Sequence, residues 1–142
     1  MVRVMASGVF DIIHTGHISY LKQAKALGDE LIVVVACDET VRKSKHEPIT
    51  PEKMRVAIVD CLKPVDRAML GKEGDIFDVV REISPDVIVL GFDQTFTEND
   101  LRKGLDAHGL GHIRVTRVAE LAEDLTATRR IIAKIKDLED RP

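Results

Sequence analysis

Five short apolar runs recur along the chain, at residues 2–6, 30–36, 65–70, 86–91 and 113–118, with amphipathic segments between them. Three contain continuous rather than alternating apolar stretches: Val4-Met5-Ala6, Leu31 to Ala36, and Val87-Ile88-Val89-Leu90. Continuous, largely β-branched runs bounded by Gly, Pro or Asp predict strands buried on both faces, as in a parallel sheet. The intervening segments carry helical spacing. Residues 17–27 align Ile18, Leu21, Ala24 and Leu27 before Gly28, which can end a helix. Residues 51–62 open with Thr50 as the expected N-cap and Pro51 at the first helical position. Ile76, Phe77, Val79, Val80 and Ile83 pattern a third helix, which stops before Ser84-Pro85. A fourth, over 98–108, follows Thr97 as N-cap, and a fifth, over 128–138, is expected to bury Ile131, Ile132, Ile135 and Leu138.

Alternating strands and helices with short connections predict an α/β domain of three layers around a five-stranded, mostly parallel sheet. At 142 residues the chain fits one domain, 1–142, with no repeat or linker and no room for a separate substrate domain. Any second substrate must share the cleft beyond the carboxyl ends of the strands.

The net charge is −3, and the basic residues are scattered apart from Arg42-Lys43-Ser44-Lys45, which argues against a nucleic-acid tract. The longest apolar run, Leu31 to Cys37, is too short to cross a bilayer. The N-terminus shows no secretory cleavage pattern, so a cytoplasmic protein is expected. Cys37 and Cys61 lack metal-ligand spacing and read as reduced structural thiols, Cys61 on an apolar helix face.

The chemistry concentrates after the first strand, in Ser7-Gly8-Val9-Phe10-Asp11-Ile12-Ile13-His14-Thr15-Gly16-His17, with a helix following at once. Free N–H groups and the helix dipole make this a place for phosphate. Neither G-x-G-x-x-G nor the Walker A pattern is present. Two imidazoles stand there instead. Displacement at an α-phosphorus builds negative charge on phosphoryl oxygens and departing pyrophosphate, and fixed donors aimed at that charge lower the barrier. Gly16 allows close backbone approach, and His14 and His17 can both donate from one side. A zinc site is disfavoured because no third ligand stands at useful spacing.

Lys43 and Lys45 follow the second predicted strand, where a lysine-rich loop is either solvated or touches phosphate. At least one phosphate contact is expected, with Lys45 the catalytic candidate. Arg55, on the helix that opens at Pro51, reads as a surface residue. Phe92 and Phe96 flank Asp93 in a chain with 4% aromatics, and are either ring-stacking or core-filling residues. His46, His108 and His112 carry no motif and are expected at the surface.

The stretch Gly8-Val9-Phe10-Asp11-Ile12-Ile13-His14-Thr15-Gly16-His17 resembles the G-T-F-D-x-x-H-x-G-H motif of the cytidylyltransferase-like nucleotidyltransferases, with Val9 in place of the usual Thr. Pro51 to Arg55 is similar to that family's P-x-x-x-R helix, and Gly91-Phe92-Asp93-Gln94 to its G-x-D-x segment. The resemblance implies a Rossmann-like fold, with nucleotide contacts at Val9, Phe10, His14, Thr15, Gly16, His17, Lys43, Arg55, Asp93, Arg117 and Thr128. Thr126-Ala127-Thr128-Arg129-Arg130-Ile131 departs from the usual Ser-Thr-Thr, leaving Thr128 to cap the last helix and meet a phosphate, with Arg129 and Arg130 compensating.

Ala36 to Lys43, Leu62 to Asp66, Leu70-Gly71 and Gly91 to Gln94 are most similar to an archaeal FAD-forming subgroup. That subgroup implies ATP and FMN as substrates and Mg²⁺ held mainly through substrate phosphates, with no protein metal ligands. The resemblance also implies a homodimer. The rival readings are a CTP-dependent enzyme acting on glycerol 3-phosphate or a sugar phosphate, a non-catalytic nucleotide-binding module, and a tRNA-synthetase fragment. The last lacks a tRNA-binding region.

Overall fold

A computed structural model describes residues 1–44, 46–91, 97–119 and 127–141. Its strands are β1 (Arg3–Gly8), β2 (Glu30–Val35), β3 (Arg67–Leu70), β4 (Val87–Leu90) and β5 (Arg114–Arg117). Its helices are α1 (Thr15–Lys25), α2 (Asp38–Ser44), α3 (Glu52–Asp60), α4 (Ile76–Ile83), α5 (Glu98–Ala107) and α6 (Thr128–Glu139). Every strand pairing is parallel, in the order β3-β2-β1-β4-β5.

The continuous apolar runs become the three central strands because each must feed two cores. Val4 and Ala6, Leu31, Val33 and Val35, and Val87 and Val89 point to one face. Met5, Ile32 and Val34, and Ile88 and Leu90 point to the other. The register keeps like with like, pairing Met5 with Ile32 and Ile88, and Ala6 with Val33 and Val89. Helices α1 and α3 cover the first face through Tyr20, Leu21, Ala24 and Val59. The second is covered by α4 and α5 through Val79, Val80, Ile83, Leu101 and Leu105. Strand order reverses at β1, so the connections leaving β1 and β4 diverge and open a crevice at their carboxyl ends.

Several expectations are corrected. The basic segment after β2 is helix α2, anchored by buried Val41 and opened by Asp38 and Glu39, whose charges suit a helix N-terminus. Pro51 rather than Thr50 occupies the N-cap of α3, because the Thr50 hydroxyl is engaged by Asp11. α1 ends at Lys25, leaving Leu27 outside the helix and exposed. Cys61 caps the end of α3 and is exposed rather than buried. α6 buries no residue: Ile131 and Ile132 are half-buried, while Ile135 and Leu138 are 56% and 53% exposed. No helix among the described residues is long and apolar enough to cross a membrane.

Candidate active site

The crevice is a cavity of about 920 Å³ over the ends of β1, β2, β3 and β4. β1 hands the chain to α1 through a loop held in an unusual shape. Phe10 adopts φ 55°, a left-handed conformation that costs an L-residue energy unless its surroundings fix it. Its ring is 2% exposed, stacked on Tyr20 with centroids 6.4 Å apart. A β-carbon at Gly8 would lie 2.9 Å from Phe10 Cε2, so glycine is required there for that ring to seat.

The buried Asp11 carboxylate accepts from the backbone N–H groups of Ile49 and Thr50, both at 2.9 Å, and from Thr50 Oγ1 at 2.7 Å. Burial pushes its pKa up, but those hydrogen bonds and the Arg55 charge outweigh burial and hold it below the usual carboxylate value. Asp11 thereby fastens the segment before α3 to the His loop.

His14 is the N-cap of α1. Its Nδ1 accepts from Gly16 N–H at 3.0 Å, and His17 Nδ1 accepts from His14 N–H at 3.2 Å. The two imidazoles thus perform the reciprocal capping usually done by Ser and Glu. Because each Nδ1 is an acceptor, each neutral ring carries its proton on Nε2. The rings lie 3.9 Å apart and both line the cavity, with Phe10 behind His17 at 5.4 Å. Helix capping has fixed two N–H donors at the mouth of a helix N-terminus.

Val9, Phe10 and Gly16 line the cavity with the His pair, while Thr15 is exposed beside it. Thr128 lines it too, but as the first residue of α6 rather than its cap. Ala127 holds the N-cap position, and the Thr128 hydroxyl donates to Ile12 O at 3.2 Å. Arg129 lines the same wall. Arg117 stands behind β4, bonding Gly91 O at 2.6 Å and Glu98 at 2.9 Å. Lys43 pairs with Glu73 across the outer edge of the cleft. Lys45, Phe92, Asp93 and Phe96 lie outside the described residues.

Arg55 is not the surface residue that one reading allowed but a buried brace. It is 0% exposed, and its guanidinium donates to Thr50 O, Val9 O and Ala36 O at 2.7–3.0 Å and to Asp38 at 2.6 Å. Three loops that build the cleft meet on this one fork. His108 is likewise no simple surface residue: it is half-buried, stacks on Phe77 at 4.2 Å, and bonds Gly104 O. His112 is exposed, whereas exposed His46 lines the cavity.

Lys72, Cys37, Thr40, Ile76 and Val79 also line the cavity, though no motif in the sequence marks them as site residues. Lys72 had a local signal: it follows β3 directly, between Gly71 and Gly74. Among the described residues no group of three or more His, Cys, Asp or Glu is arranged to hold a metal, and Asp11 is filled by hydrogen bonds.

A parallel sheet whose first strand delivers an H-x-G-H pair to a helix N-terminus, at the point where strand order reverses, defines a nucleotidyltransferase. The chain belongs to the cytidylyltransferase-like family, whose model matches residues 5–138. It is 49% identical to a FAD synthase of Aciduliprofundum boonei, over 99% of this chain and 94% of that one. To a FAD synthase of Thermoplasma acidophilum it is 51% identical, over 97% and 96%. A crystal structure of the lipopolysaccharide core biosynthesis protein from Thermoplasma volcanium superposes with a TM-score of 0.83 at 50% identity, covering 85% of this chain and 98% of that one. A protein of unknown function from Archaeoglobus fulgidus shares the fold, with a TM-score of 0.68 at 16% identity.

Proposed function

We propose that the chain is a FAD synthase, transferring AMP from ATP to the phosphate of FMN. The observation that carries this reading is the near-half identity to proteins of that name across almost the whole of both chains. An FMN phosphate oxygen attacks the α-phosphorus in line; its new P–O bond forms as the bond to pyrophosphate breaks, and pyrophosphate departs with the electron pair. His14 and His17 donate through Nε2 to the phosphoryl oxygens and the leaving group, and the α1 N-terminus adds its N–H groups. Lys72, Arg129 and Lys45 supply positive charge around the phosphates. Arg117 holds the end of β4 in place behind the nucleoside, with Asp93 reading the base or ribose.

The donor set fits a divalent cation that arrives with the triphosphate, Mg²⁺ by its preference for phosphate oxygens and water. Such a cation neutralises charge on the triphosphate. The protein acts as a homodimer in the cytoplasm, and sedimentation of the purified chain checks the first point. The decisive assay supplies ATP or CTP with FMN, glycerol 3-phosphate or a sugar phosphate and follows pyrophosphate and the adduct. FAD from ATP and FMN is expected. A second reading, CTP with glycerol 3-phosphate or a sugar phosphate, is supported by the cytidylyltransferase-like family model, and turnover of such a pair with none of FMN would establish it instead.

A further inference from the structure

Helix α1 reaches the chain just past β5 through the half-buried Gln23. The Gln23 amide meets the Ala119 peptide groups in both directions. Its Oε1 accepts from Ala119 N–H at 3.2 Å, and its Nε2 donates to Ala119 O at 3.2 Å. Nε2 also donates to Ser19 Oγ at 3.1 Å, one turn earlier on the same helix face. Only one orientation of the amide matches both Ala119 groups. A side chain thus stands where the next strand of a sheet would, pairing with the N–H and C=O of one backbone residue.

The stretch it holds is part of the cleft. Val118 N–H extends the β4–β5 ladder to Leu90 O at 3.0 Å, and Val118, Ala119 and Gly91 line the cavity. At the N-terminus of α1, His14 and His17 line the same cavity. His17 stands six residues before Gln23, about 9 Å along the helix axis. One rigid helix therefore carries the phosphate donors at its end and grips the flank past β4 and β5 with its side.

We infer that Gln23 is a positioning residue: it sets the wall at Val118 and Ala119 against the His pair, and so fixes where the nucleoside lies relative to the reacting phosphate. The inference rests on the reading above that places the nucleoside at the end of β4. It holds for ATP and CTP alike, because the amide grips backbone and reads no base. Gln23 is not among the lining residues and touches no reacting atom. Once the amide is removed, Ala119 turns to water, and the wall gains freedom that nucleoside binding must then remove. A ligand made of phosphate alone never meets that wall.

The test uses two variants of the full chain. Gln23→Ala deletes both bonds, while Gln23→Glu keeps the acceptor for Ala119 N–H and sets a carboxylate oxygen against Ala119 O. Calorimetric titration with a non-hydrolysable ATP analogue is compared with titration by inorganic pyrophosphate. Both variants should bind the analogue about three- to tenfold more weakly, with pyrophosphate changing less than about twofold. The KM for ATP should rise by the same factor, while kcat and the KM for FMN stay near those of the unaltered protein. Unchanged analogue affinity in both variants overturns the inference. So does an equal loss for pyrophosphate, which would mean that Gln23 only stiffens α1. Should the unaltered protein bind a CTP analogue in place of the ATP one, the FAD synthase reading falls, and the same comparison made with the CTP analogue still decides the role of Gln23. Binding of neither analogue by the unaltered protein overturns it.

Discussion

The Tyr20 hydroxyl donates to Val89 O at 2.6 Å, joining α1 to β4 at the point where the sheet divides. The same oxygen accepts from Ser7 N–H at 3.1 Å. The β1–β4 ladder ends at Ala6 and Val89, so a phenol takes over where the backbone pairing stops. Burial pushes its pKa up, which keeps the proton on the oxygen that donates it. Tyr20→Phe leaves Val89 O and Ser7 N–H without this partner, and should cost about 1–3 kcal/mol in urea unfolding. An unchanged midpoint would mean that water replaces the hydroxyl at no cost.

The double role of His14 can be separated. His14→Ala removes both the cap acceptor and the Nε2 donor, costing about 1 kcal/mol of stability and lowering kcat by roughly 10²–10³. His14→Asn restores a cap acceptor but cannot reach as far into the cleft. Its melting temperature should return toward that of the unaltered protein while kcat stays low. Recovery of kcat along with stability would show that His14 acts through helix geometry alone.

Arg55→Ala strands Asp38 and three carbonyls in the interior, and a loss of about 3–5 kcal/mol is expected. Arg55→Lys should rescue little of it, because an ammonium cannot fork to four acceptors. Normal thermal stability with a raised KM for one substrate would restore Arg55 to direct ligand contact.

Acid should loosen the His loop. Asp11 has its pKa depressed in the folded state, so the folded protein holds that proton less readily than the unfolded chain. Its contribution is full above the ordinary carboxylate value of about 3.9 and is lost as pH falls through the lower folded value. Asp66, depressed first by the hydrogen bond from Lys25 and then by Leu31 N–H, adds to the same acid limb, though solvent screens it. Asp11→Asn should be less stable at neutral pH and show a shallower decline below about pH 4 in thermal melts. A parallel decline would place the acid-sensitive group elsewhere.

The central strands and the His pair were legible because their signals are local. A run such as Leu31 to Val35 has one use in a sheet covered on both sides, and two imidazoles written into the strand-to-helix junction must stand at the helix N-terminus. Arg55 was harder. A lone arginine on an amphipathic helix reads as solvent-facing, yet it stands four residues before buried Val59 and therefore on the inward face. Its four acceptors come from three separate stretches of chain, which no spacing rule gathers. Seven residues carrying one buried apolar anchor make no period, so α2 leaves no helical signature in the sequence. The α6 stripe is helical but not buried, since periodicity shows that a face exists and not what lies against it.

The central place of β1 shapes how the protein is made. Its partner β2 is complete by Val35, but its other neighbour, β4, begins only at Val87. At roughly 5–20 residues per second, the ribosome leaves that edge of Val4, Met5 and Ala6 unpaired for several seconds. An unpaired apolar edge is a template for another nascent chain. A finished molecule hides this edge in mid-sheet, so slow translation between β2 and β4 should lower soluble yield even when the native state is fully stable.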